Sequence, residues 1–188
     1  SPSMALPGLG RALVSAGKLG QKAAEDLYRK AQSSRTSFIA ELTGSGAVSP
    51  SDLAHTMSTA FAAPLLDIDA VDVQRLPSGL LDPKICADFR IVVLSKRNNR
   101  LIVATADPSD QQAAEKIKFA TQMGVDWVIA EFDKLSKLVE TMTKSVTEAM
   151  DNIVGDVEFD DLAAEAAVTD SAEKTAEVDD APVVKFLH

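Results

Sequence analysis

The stretch from Leu9 to Ala60 repeats itself at an offset of 29 positions. Leu9 recurs as Phe38, Leu13 as Leu42, Gly17 as Gly46, Leu19 as Val48 and Ala31 as Ala60. Each copy reads as a short apolar helix, a glycine stop, one apolar anchor and a second helix. A unit this short cannot bury its own apolar face, so the two copies are expected to pack against each other. The pattern leaves one alternative open, two amphipathic hairpins with chance similarity.

Local chemistry supports the helices. In the second copy, Ser49-Pro50-Ser51-Asp52 is a helix start. The serine can cap, proline suits the first helical position, and the aspartate favours the positive end of the helix dipole. Leu53, Met57 and Phe61 follow at a spacing of four, one face of a helix. In the first copy Gly20 stands where the capping serine would be. Leu27 and Tyr28 carry the apolar face, with Glu25, Arg29 and Lys30 toward water. Gly17 and Gly46 fall where helices end and φ is often positive.

After Asp67 the texture changes. Ile68–Leu76 and Pro77–Phe89 read as connections with short helical turns, one started by Asp82-Pro83. Phe89–Leu94 and Leu101–Thr105 are β-rich runs flanking Lys96-Arg97-Asn98-Asn99-Arg100, a hairpin signal because asparagine tolerates positive φ. Asp107-Pro108-Ser109-Asp110 opens a helix with Ala113, Ile117 and Ala120 on one face, and Gly124 is expected to end it. Val125–Ala130 reads as a third strand. Asp133 starts a last helix carrying Leu135, Leu138, Val139, Met142 and Val146. The expected class is α+β: a helical subdomain of two hairpin repeats over 8–66, then a β-β-α-β-α layered domain over 67–150.

Charge separates a third region. Residues 1–150 hold 17 acidic and 17 basic residues, whereas residues 151–188 hold 11 acidic and 2 basic, the whole net charge of −9. Residues 151–180 are acidic and alanine-rich, the composition of a disordered linker, with Phe159-Asp160-Asp161-Leu162 as a conceivable docking element within it. The return to apolar residues at 181–188 reads as the truncated start of a further domain. A single cysteine, Cys86, excludes an internal disulfide and reads as a small core residue. No run is long and apolar enough for a transmembrane helix, and Met4–Leu13 is too short for a signal peptide; a reducing cytoplasm is the expected compartment.

The repeat resembles the GspE N-terminal (MshEN) domain of secretion and pilus-assembly ATPases. Leu9-Gly10, Leu13, Gly17 and Leu19 match its first motif. Leu42, Gly46, Val48, Leu53 and Pro64-Leu65-Leu66-Asp67 match the second. With Ala106-Asp107-Pro108, the acidic linker and Asp180-Ala181-Pro182-Val183-Val184-Lys185-Phe186, the resemblance extends to the PilB family of type IV pilus extension ATPases. Some members of the wider family bind cyclic di-GMP through paired motifs. Here the family's arginine positions are Gly8 and Ser37, the second glycine is Ile39, and the closing glutamines are Ala31 and Ala60. Arginine would pair phosphate and stack on guanine, and glycine would admit the ligand to the backbone, so these losses count against tight nucleotide binding.

The resemblance implies a regulatory, non-catalytic region of a motor whose full length is an ATP- and magnesium-dependent hexamer, peripheral to the inner membrane through the pilus platform. It implies docking by a PilZ-type adaptor, itself linked to a cyclic di-GMP receptor. Leu9, Leu13, Phe38, Ile39 and Leu42 are the expected docking anchors, although periodicity alone leaves each equally a core residue. A direct cyclic di-GMP sensor is the alternative, and a passive spacer the plainest one. No cofactor or metal is expected in the chain itself.

The remaining polar residues point the same way. There is no Gly-x-x-x-x-Gly-Lys-Ser/Thr loop to cradle nucleotide phosphates. His55 lacks companions at ligand spacing, Ser51 and Ser109 read as helix-start residues, and Asp67 and Asp69 lack evidence of a shared geometry. Lys96, Arg97 and Arg100, with Arg90 behind them, read as a solvated turn rather than a phosphate site, for want of aromatic partners. Trp127 alternates with Val125 and Ile129 and is expected in the core.

Overall fold

The computed structural model of the chain describes residues 5–144. Val146, the acidic segment 151–180 and the apolar exit at 181–188 lie outside the described residues.

The repeat folds as four helices: α1 (Gly8–Ser15), α2 (Gln21–Ser34), α3 (Phe38–Gly44) and α4 (Pro50–Phe61). The 29-residue offset superimposes α1 on α3 and α2 on α4. Gly17 and Gly46 occupy matching turns with φ of 74° and 80°, where a side chain would be strained. Ser49 caps α4 by accepting from the Asp52 amide at 3.1 Å, and Ser37 caps α3 by accepting from the Ala40 amide at 3.1 Å. Gly20 leaves α2 without a side-chain cap.

The copies interlock. α1 packs mainly on α4, and α2 mainly on α3, so each copy's first helix rests on the other copy's second. Their common core is Leu9, Leu13, Leu42, Val48, Leu53 and Met57, and Ile129 from the sheet closes it. Phe61, expected on the buried face with Leu53 and Met57, is 40% exposed at the helix end.

Two 3-10 turns (Ile68–Ala70 and Val73–Arg75) lead to α5 (Pro83–Phe89), whose cap Asp82 accepts from the Lys84 amide at 2.9 Å. Phe89 and Arg90 are not strand residues: Phe89 ends α5 and Arg90 is its left-handed cap at φ 53°. Strands β1 (Val92–Arg97) and β2 (Arg100–Thr105) then form an antiparallel hairpin with a two-residue turn, Asn98 taking φ 56°. α6 (Gln111–Thr121) crosses to β3 (Gly124–Ile129), which pairs in parallel with β2 from Arg100↔Gly124 to Thr105↔Ile129. Residues 132–144 are helical (α7). Gln122 at φ 61°, rather than Gly124, ends α6. Gly124 begins β3, where a Cβ would come within 2.5 Å of the Arg100 guanidinium.

The strand alternation separates two cores. Val92 and Ala104 face Leu135 and Val139 of α7, whereas Val93, Leu101 and Val103 face Ile117 of α6. Trp127, half-buried, packs with the second set, and so does Cys86. Burial, with Asp82 nearby, pushes the Cys86 thiol up to about 11. Ala113 and Ile117 are buried as the spacing required, but Ala120 is exposed.

Pro64–Leu66 extends the sheet beyond β3. The Leu66 amide donates to the Ile129 carbonyl and the Ile129 amide to the Pro64 carbonyl, both at 2.7 Å. Ile129 is thus hydrogen-bonded at the sheet edge while its side chain fills the repeat core.

Candidate functional site

Three of the five expected docking anchors have no surface to offer. Leu9, Leu13 and Leu42 are 1%, 0% and 0% exposed, because the crossed packing of the copies turns exactly those positions toward each other and toward Ile129. Phe38 and Ile39 stay half-buried. The Phe38 ring lies over Gly10, where a Cβ would sit 3.1 Å from it, and meets Tyr28 edge-on at 5.2 Å between centroids. Ile39 touches both the repeat core and the α7 side of the sheet. Thr36 and Lys30 hold Glu41 at 2.6 and 3.4 Å, fixing α2 against α3 beside this patch.

On the other side of the repeat runs an open groove of about 820 Å³. Its walls are Gly8, Arg11, Ser15 and Lys18 from α1 and the turn after it, His55, Thr59, Ala60 and Phe61 from α4, and Pro108, Ser109 and Gln111 from the corner after β2. No acidic side chain lines it. Arg11 and Lys18 are exposed and, among the described residues, make no ion pair. The His55 Nδ1–H donates to the Ser51 carbonyl at 2.9 Å, leaving Nε2 for another partner.

The corner is rigid for a local reason. The Asp107 amide donates to Thr105 Oγ1 at 3.1 Å, and the Ser109 amide donates to Asp107 Oδ1 at 2.9 Å, joined there by the Ser109 hydroxyl. Burial holds the Asp107 carboxyl above its usual range, the Ser109 bonds oppose that, and Asp110 adds to it. Asp110 caps α6 through the Ala113 amide at 3.1 Å. This corner presses on Gly8: a Cβ there would meet Ser109 Cβ at 2.7 Å. The space that an arginine would need at position 8 is therefore taken. The Arg11 guanidinium passes 3.8 Å from that same Cβ position.

The groove unites two of the divergent motif positions, Gly8 of the first copy and Ala60 of the second. Their counterparts lie elsewhere: Ala31 is buried in α2 and Ser37 caps α3. The other polar candidates are structural. Asp67 caps a 3-10 turn, and Lys134 gathers Asp69, Glu131 and Asp67 at 3.0, 3.8 and 4.0 Å. Those carboxylates raise the lysine's pKa, Asp69 foremost. Arg100 is tied to Asp126 at 2.9 Å and to the Val125 carbonyl at 2.8 Å, so the hairpin tip keeps only Lys96 and Arg97 free of that pairing. No group of three or more metal-ligating side chains comes together among the described residues. None of their helices is long and apolar enough to cross a membrane.

The MshEN domain model matches residues 61–149. Over that stretch, just under half of its length, the chain is similar to MshEN domains. The matched region starts at the end of α4 and takes in the sheet, α6 and α7. Two solved structures share the fold over a longer share of the chain. The N-terminal domain of XpsE is 25% identical with a TM-score of 0.56, over 70% of this chain and 91% of its own. MshE, solved with cdg, shares the fold at a TM-score of 0.53 and 22% identity, over 71% of this chain and 96% of its own. Among curated proteins, the chain is similar to the type IV pilus assembly ATPase PilB of Pseudomonas aeruginosa, 30% identical over 187 residues, 99% of this chain and 33% of that protein. PilB of Acinetobacter baylyi is 29% identical over 95% of this chain and 31% of its own length. PilB of Myxococcus xanthus is 26% identical over 96% and 32%. The chain thus spans about a third of the length of the curated relatives it matches.

Proposed function

We propose that this MshEN region is the docking and regulatory part of a type IV pilus extension ATPase, engaged by a PilZ-type adaptor. One observation carries the reading. The arginine positions at which the family pairs phosphate and stacks guanine hold Gly8 and Ser37, its closing glutamines are Ala31 and Ala60, and the Ser109 corner leaves no room for an arginine at Gly8. A module that has lost its nucleotide-pairing side chains but kept the fold is suited to receive its signal from a protein. Of the five expected anchors, the half-buried Phe38 and Ile39, beside Tyr28, are the two left with surface for such a partner. Leu9, Leu13 and Leu42 set the frame behind them. Partly exposed aromatic and aliphatic anchors backed by a rigid core are where interface energy concentrates. ATP and magnesium chemistry, hexamer formation and attachment to the inner-membrane platform belong, in this reading, to the rest of the motor.

The test is calorimetric titration of the chain with a purified PilZ-type adaptor, repeated with Ile39→Asp. Micromolar or tighter binding to the native chain, about −8 kcal/mol or better, and at least tenfold weakening in a variant with unchanged circular dichroism support the reading. Equal affinity of the two overturns the assigned face.

A second reading, direct binding of cyclic di-GMP, draws on MshE having been solved with cdg and on the acid-free groove beside Arg11, Lys18 and His55. It predicts that the dinucleotide alone raises the melting temperature of the chain, by an amount set by affinity and concentration.

A further inference from the structure

The groove between α1 and α4 gathers Arg11, Lys18 and His55 with no carboxylate among its lining residues, in a chain whose residues 1–150 are charge-balanced overall. The excess negative charge all lies further along the same chain. We infer that this groove is an internal docking site for the chain's own acidic segment, Asp156-Val157-Glu158-Phe159-Asp160-Asp161-Leu162. The inference does not depend on the adaptor reading, which concerns the opposite patch around Phe38 and Ile39.

Three features argue for this occupant. The first is complementary chemistry. The segment carries four carboxylates and three apolar side chains, Val157, Phe159 and Leu162, and the groove is lined by cations together with an exposed ring, Phe61, and Ala60. The second is reach. Asp156 lies 12 residues past Lys144, the last described residue, and 12 residues extend to about 40 Å. A compact body of the described size has a radius of gyration of about 14 Å, so the tether is longer than the body's own radius. The third is that the other basic cluster, at the hairpin tip, is smaller. The hairpin tip offers Lys96 and Arg97 at the end of β1, beside a two-residue turn, and Arg100 is already paired with Asp126.

The strength expected is modest singly and sufficient jointly. Exposed ion pairs are weak, which makes the contact salt-sensitive. Tethering supplies an effective concentration of the order of millimolar, so a segment that binds only at about millimolar concentration in trans would occupy the groove about half the time in cis. Such an occupant shields the groove from other anions and is displaced when the segment is drawn elsewhere.

The experiment compares amide NMR spectra of the 188-residue chain with those of D156N/E158Q/D160N/D161N in the same chain. The expected result is displaced resonances at Arg11, Ser15, Lys18, His55 and Thr59, with Leu101 and Val103 in the sheet unmoved. About 1 M sodium chloride should carry the native spectrum toward the variant's positions. In the reverse direction, Arg11→Gln with Lys18→Gln should move the resonances of Asp156–Leu162. Inorganic pyrophosphate is the competitor probe, and it should bind the neutralised variant about two- to tenfold more tightly than the native chain. Unmoved groove resonances, movement at Lys96 and Arg97 instead, or equal pyrophosphate affinity each overturn the inference.

Discussion

The repeat and the sheet that follows it are held together by different kinds of contact. In the repeat, the turn and cap hydrogen bonds all close within six residues, from Gly17 N–H on Val14 to Val48 N–H on Leu42. The sheet half has local caps of the same kind, but there other bonds join distant segments: Ala130 to Thr105, Leu66 to Ile129, and Arg100 to Asp126. The repeat helices therefore owe their arrangement to one shared apolar core rather than to backbone register. A core of that kind constrains Leu9, Leu13, Leu42 and Met57 strongly and the outward residues hardly at all. An exposed position such as Ala60 can therefore change while the fold persists, because it adds nothing to that core.

The sharpest way to break the comparison is at Leu13. Leu13→Ala should cost about 2–5 kcal/mol, the usual range for a fully buried leucine. Because the copies interlock, hydrogen exchange should accelerate in α2 and α4 together, not in the first copy alone. Loss of protection confined to residues 8–34 would mean that the two copies are independent. Leu13→Asp should abolish folding outright, so it cannot serve as a docking probe.

Next in size is Gly8→Arg, the substitution that would restore the family residue. The Cβ meets Ser109 at 2.7 Å, so the variant should lose about 1–3 kcal/mol through overpacking. Measured by urea melting, a neutral or stabilising outcome would show that the corner yields readily and that the groove can still be rebuilt for a nucleotide.

Much of this molecule was legible in the sequence, and the failures have physical causes. The helical repeat, the Ser49-Pro50 start and the Asn98-Asn99 turn are local signals, set by capping and by tolerance of positive φ. Which helix packs on which is not local, and so the core role of Leu9, Leu13 and Leu42 could not be separated from a surface role by periodicity. Phe89-Arg90 read as strand because an aromatic precedes a β-branched run, yet Arg90 takes a left-handed cap that only the chain's tertiary path reveals. Gly124 read as a helix stop, whereas it opens β3 beside the Arg100 guanidinium. The groove escaped notice because Gly8 and Ser109 are remote in the chain; only the unpaired Arg11 and Lys18 could have hinted at it.

A smaller effect sharpens the capping argument. Ser49→Ala removes the acceptor of the Asp52 amide and should cost about 1 kcal/mol. The same change at Ser37 should cost about as much, since both copies use the same device. A much larger loss at one of them would show that the repeat is less symmetric than its helices suggest.

The smallest expected effect is a pH dependence at Asp107. Burial raises its folded-state pKa above the unfolded value, so folding favours the protonated acid. Its stabilising contribution is present below the unfolded pKa and lost as pH rises through the folded one. Asp107→Asn, which keeps an acceptor for Ser109, should gain on the native chain as pH rises from the acid range to neutrality. Melting temperatures of the two proteins that move in parallel across that range would remove burial as the cause.

The central claim is that the repeat half receives a protein rather than a nucleotide. Hydrogen–deuterium exchange of the chain, alone, with a PilZ-type adaptor and with cyclic di-GMP, tests it most directly. The adaptor should bring new protection on α2 and α3 around Tyr28, Phe38 and Ile39, and the dinucleotide none. Protection along α1, α4 and the Asp107–Gln111 corner with cyclic di-GMP alone would contradict it.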